Sequence, residues 1–138
     1  MTPPPPHPAH AFAAALDADD FATTASLLAP DVAYHLGDRV LRGPEAVVAS
    51  YAESAAWGAA NLDSVGYESA VHLASGRAVI TFTDHLLLGP NQHTYRCEQY
   101  LTLDDSQPPR IANVTHRELP GEREALTAWF ALVGVSRR

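Results

Sequence analysis

The order of punctuation between Phe12 and Val47 constrains this chain more than any other feature. Phe12 and Leu16 fall at i, i+4 among small alanines and predict a helix over about residues 9–17. Asp17, Ala18 and Asp19 break it, and Asp19 or Asp20 can cap a second helix by accepting backbone N–H bonds. That helix is expected to bury Phe21, Leu27 and Leu28 and to stop at Pro30. Two short strands around a tight turn follow. Pro44 then opens a third helix at the position where its missing N–H costs nothing. Val47, Val48 and Tyr51 form its apolar stripe, with Trp57 near its end. Helix, acidic turn, helix, short hairpin and capped helix is how a cone-shaped α+β pocket fold begins.

The second half reads as β structure. Residues 64–73, 78–88, 93–103 and 110–118 are rich in β-branched and aromatic residues and are separated by turn residues. Connections this short imply an antiparallel meander. After Pro120 and Gly121, Leu126, Trp129, Phe130 and Val133 recur at i, i+3, i+4, i+7 and predict a final amphipathic helix. Residues 1–8 read as a disordered proline-rich tail, and residues 9–138 as one domain.

Composition narrows the partners. The net charge is −7, and the nine cationic residues are all arginines. An acidic chain lacks the clustered cations that nucleic acid or an anionic membrane requires. The absence of lysine beside abundant alanine reads as coding bias of a GC-rich bacterial genome. One cysteine, Cys97, closes neither an intrachain disulfide nor a cysteine zinc site, and a reducing cytoplasm fits. The start has no basic n-region and no apolar h-region, and no apolar run approaches the ~20 residues of a membrane span. The histidines do not have metal-ligand spacing. His85 and His93 flank one hairpin and come nearest to it, but no metal is expected. No phosphate-binding glycine loop or serine nucleophile motif is present, so no cofactor is expected.

Period-2 alternation assigns the strand faces. Ala78, Ile80, Phe82, Asp84, Leu86 and Leu88 share the apolar face of one strand, and Tyr95, Cys97, Gln99, Leu101 and Leu103 that of the next. Arg96, Glu98, Tyr100 and Thr102 face outward. In the last strand Ala112, Val114, His116 and Glu118 are placed inward, with Ile111 on the other side. Three polar groups, Asp84, Gln99 and His116, thus fall on apolar faces. A buried polar group without a partner costs about 1–3 kcal/mol, so each must meet another, water or a ligand. Asp84 and His116 form a candidate acid–base couple, with Gln99 and Tyr95 orienting a substrate oxygen. The plainer readings are that Asp84 ties down a loop, His116 is a satisfied core histidine and Gln99 a structural hydrogen-bonder. Tyr34, Tyr51, Trp57 and Tyr95 pack the core or line a cavity.

Leu16 to Phe21, Leu27 to His35, Arg42 to Val47 and Arg110 to Val114 together resemble the nuclear transport factor 2-like superfamily, most closely its SnoaL-like branch with the polyketide cyclases and ketosteroid isomerase relatives. The resemblance covers about residues 9–118. It implies a bent antiparallel sheet wrapped around three helices with a deep pocket at the open end, here with an added C-terminal helix. It implies a small apolar or cyclic ligand and a homodimer through the outer sheet face. Laid over ketosteroid isomerase, the family's general base falls at Leu36 and its oxyanion donors at Phe12 and Gln99. Leucine moves no proton and phenylalanine donates no hydrogen bond, so that mechanism is not expected. The same overlay turns Ile80, Phe82, Asp84, Gln99, Val114 and His116 toward the pocket. The expected function is a small-molecule pocket protein, either a cofactor-free isomerase, dehydratase or cyclase, or a non-catalytic dimeric binding domain.

Overall fold

The computed structural model describes residues 7–135. The chain runs α1 (Pro8–Asp17), α2 (Phe21–Ser26), β1 (Leu28–Leu36), β2 (Arg39–Arg42), α3 (Pro44–Asn61), β3 (Ser64–Ala74), β4 (Arg77–Leu88), β5 (Asn91–Leu103), β6 (Ile111–Glu118) and α4 (Glu122–Val133). The strands form one curved, unclosed sheet in the order β2-β1-β6-β5-β4-β3. β3 to β6 are the antiparallel meander that the short turns imply. β1 closes onto β6 in parallel, with Tyr34 beside Val114 and Leu36 beside His116. This is the α+β cone expected from the sequence, with α4 added.

Four local expectations change. Residues 1–6 of the expected tail lie outside the described residues, but His7 caps α1 and Pro8 begins it. The His7 ring accepts from the Ala9 N–H at 3.0 Å, and Pro8 occupies the first turn, where no N–H is needed. Pro30 does not end α2; that helix stops at Ser26, and Leu28 already pairs with Ile111. Pro30 sits inside β1, where the pairing with β6 jumps from Leu28/Ile111 to Ala33/Asn113, so its missing donor breaks no ladder bond. Ile111 is not outward but fully buried. Between Leu103↔Ile111 and Thr102↔Asn113, β6 spends one extra residue, and this bulge puts Ile111 and Val114 on the same face. His85 and His93, which flank one hairpin and could have met across it, point to opposite faces. His85 faces out against Glu68 at 2.8 Å, and His93, one register step on, faces in.

Two apolar clusters hold the cone. One joins α1 to the sheet through Phe12, Leu28, Val32, Val47, Ile80, Leu101, Ile111 and Val114, all essentially solvent-free. The other joins α4 to the far half of β4 and β5 through Leu86, Tyr95, Cys97, Leu126, Trp129 and Phe130. Asp20 caps α2 by accepting from the Thr23 N–H. Gly43 turns the chain into α3 at φ 87° and ψ 153°, a backbone that a side chain disfavours, and its N–H donates to Val32 O at 2.9 Å. Gly58 lets α3 approach β3: a Cβ there would stand 3.0 Å from Val65 Cγ2.

Candidate functional site

Between the two clusters the concave face leaves a cavity of about 460 Å³. The strands contribute alternate residues to its wall and α3 lies across it. Of the residues expected there, Tyr34, Leu36, Tyr51, Trp57, Phe82, Asp84, Tyr95, Gln99 and His116 line it. Phe12, Ile80 and Val114 do not. They are wholly buried in the first cluster, which joins α1 to the sheet.

Gln99 organises one wall. Only 3% of it is exposed, and both ends of its amide are engaged. Tyr51 Oη donates to Oε1 at 2.6 Å, and Nε2 donates to Tyr34 Oη at 2.8 Å. Nε2 also stands 3.4 Å from His116 Nδ1. The rings of Tyr34 and Tyr51 stack at 5.3 Å. Burial pushes both phenols well above the ordinary range, so they remain protonated donors. Burial holds His116 below the ordinary histidine value, against Glu118, which pulls it up, and with Arg123, which adds to the lowering. His116 is therefore neutral at pH 7. With Nδ1 facing the Gln99 amide donor, its proton belongs on Nε2.

Asp84 stands in a different neighbourhood. On β4 it pairs with Tyr95 on β5 and Tyr67 on β3, whereas His116 pairs with Gln99, four positions further along β5. The expected couple is thus two groups on one cavity, each with its own neighbours. The Asp84 charge is felt around it. Burial first, and Asp84 second, push the Cys97 thiol up to about 12, which leaves it protonated and unreactive. Tyr95 is pushed up to about 12, mainly by burial. Tyr67 is raised by burial and then by Asp19 and Asp84.

Sequence reasoning missed other wall residues. Tyr67 follows inward alternation along β3, and Arg123 precedes Leu126 and Phe130 on the inner stripe of α4, so both had a periodic signal. Asp17 and Asp19 read as helix-breaking turn residues, yet they reach the cavity mouth, where Asp17 accepts from Ser69 Oγ at 2.6 Å. Arg123 is tied to Glu118 through Nε at 2.9 Å. Among the described residues no group of three or more His, Cys, Asp or Glu side chains is placed to hold a metal ion. No described helix is long and apolar enough to cross a membrane.

No protein-family model and no curated protein matches the chain. Solved structures do match it. An LEH-like epoxide hydrolase of M. tuberculosis is 22% identical over 92% of each chain, with a TM-score of 0.60. TerC, co-crystallised with polyporic acid, is 12% identical over 90% of this chain and 95% of its own, with a TM-score of 0.64. An NTF2-like protein of unknown function from Cytophaga hutchinsonii is 12% identical over 86% and 91%, with a TM-score of 0.59. At these identities the likeness is one of fold.

Proposed function

We propose that the chain is a small-molecule pocket protein of the SnoaL-like type that performs cofactor-free acid–base chemistry on an apolar or cyclic substrate: isomerisation, dehydration or cyclisation. The observation that carries this is the 460 Å³ cavity, whose wall combines aromatic and aliphatic side chains with polar ones, Asp84 and His116 among them from separate neighbourhoods. A substrate spanning the cavity would be the link between them. Asp84 would be the base, taking a proton from carbon or water. Neutral His116 would donate from Nε2 to the substrate oxygen where charge develops, as a weak but correctly placed electrophile. Gln99 would act as a positioning residue, fixing the tautomer and orientation of His116. Fold neighbours that include an epoxide hydrolase and a ligand-bound protein support a small-molecule site of this kind.

Once a substrate is found by screening, Asp84→Asn and His116→Ala should each lower kcat by ~100-fold or more. Full activity in both variants refutes the assignment.

One observation favours a non-catalytic reading. Tyr34, Tyr51 and Gln99 satisfy one another, as a structural network would. In that reading the protein binds a ligand without turning it over, as a dimer through the outer sheet face. There Arg77 lies 4.6 Å over the Tyr100 ring and Arg117 donates to its hydroxyl at 3.1 Å. Ligand binding with no substrate conversion, in a protein eluting as a dimer, would favour it.

A further inference from the structure

Among the described residues, two buried side-chain atoms have no hydrogen-bond partner: Tyr95 Oη and His93 Nε2. Their placement is not scattered. Both residues belong to the inner face of β5, two positions apart, and both lie against α4. The Arg123 guanidinium sits 5.7 Å over the Tyr95 ring, and Trp129 stacks on His93 at 5.6 Å with 23° between the planes. Tyr95 is only 7% exposed, yet it is a cavity residue, and Arg123, Leu126 and Phe130 bring α4 to the same wall. The helix is bounded at both ends by glycines in the left-handed region, Gly121 at φ 82° and Gly134 at φ 78°.

A polar atom buried without a partner destabilises the arrangement that buries it. Here the arrangement is the seating of α4 on β5, and the same contact closes one side of the cavity. Apolar packing through Leu126, Trp129 and Phe130 holds the helix down, while the two stranded atoms work against it. We propose that α4 is a displaceable cover on the cavity, and that a ligand seated beneath it engages Tyr95 Oη through an oxygen of its own, a hydroxyl or a carbonyl. Tyr95, held protonated at neutral pH, is the donor. An all-hydrocarbon ligand would leave the stranded atoms as they are and gain nothing from them. The proposal rests on reading the cavity as a ligand site, and it adds the polar end that the ligand must carry and the element that must move.

The test uses two probes of one shape, 2-naphthol and naphthalene, with equilibrium dialysis against the full chain and its Tyr95→Phe variant. The wild type should bind 2-naphthol about tenfold more tightly than naphthalene, and the variant should lose that preference while still binding naphthalene. Hydrogen exchange should show the amides of residues 122–133 opening about tenfold less often in the variant, because its closed state no longer strands a hydroxyl. If the variant keeps the preference, or if its exchange over α4 is unchanged, the proposal is wrong while the cavity reading stands. If neither probe binds the wild type, the cavity reading itself fails and takes the proposal with it.

Discussion

Replacing Gln99 with leucine should destabilise the protein by about 2–3 kcal/mol, through hydrogen bonding rather than packing. Leucine fills nearly the same space, so the cavity contribution is small. The two short bonds to Tyr51 and Tyr34 contribute about 0.5–1.5 kcal/mol each, and a buried hydroxyl left without an acceptor puts their loss at the upper end of the combined range. Without the amide Tyr51 loses its acceptor while Tyr34 loses only a donor, so one donor is stranded. An unfolding entropy of about 2.1 cal/mol/K per residue over 138 residues converts this into a Tm drop of about 7–10 °C. Urea unfolding followed by tryptophan fluorescence measures it, with an unchanged m-value showing that the same surface unfolds. A loss below about 1 kcal/mol at constant m would show that water or rearranged tyrosines replace the amide, and the network would not be what fixes His116.

The other predictions follow from backbone and charge. Gly43→Ala should cost about 1–3 kcal/mol in the same assay, although a Cβ there meets nothing within 4 Å, because the penalty is backbone strain alone. A neutral effect would mean that the turn relaxes. Stability should fall on acidification. His116 and His7 are both held below 6.5, chiefly by burial, so the unfolded chain takes up protons first as pH drops. Their contribution is complete above about 6.5 and is lost as pH falls through the folded-state values. Unfolding free energies measured from pH 7.5 to 5 should show that decline, and His116→Gln should flatten part of it; an identical slope in the variant would contradict the burial argument.

Fold and site were legible to different depths. Helix and strand positions followed from local signals, such as Phe12 and Leu16 one turn apart and Pro44 opening α3. The inward parity of Asp84, Gln99 and His116 followed from the two-residue strand period. That period fails where a strand gains a residue, and nothing local announced the β6 bulge that turns Ile111 inward. Pro30 looked like a helix stop because local rules ignore a neighbouring strand; pairing of Leu28 with Ile111, from the other end of the chain, claimed it for β1. Nor does parity say how deep a side chain lies: Ile80 and Val114 take the inward face, yet with Phe12 they are wholly buried in the first cluster and do not reach the cavity.

By itself, then, the sequence determined which elements form and which face most strand residues take, because both are set by neighbours a few residues away; the β6 bulge that turns Ile111 inward lies beyond that reach. The tertiary structure decided which groups meet. Gln99 finds its tyrosines 48 and 65 residues away, on α3 and β1. Asp84 and His116 fall to different neighbourhoods of one cavity because register separates them along β5. The amphipathic stripe of α4 was plain in the sequence. That it would come down on Tyr95 and His93, leaving two polar atoms without partners, depends on where the cone ends, and only the packed chain contains that information.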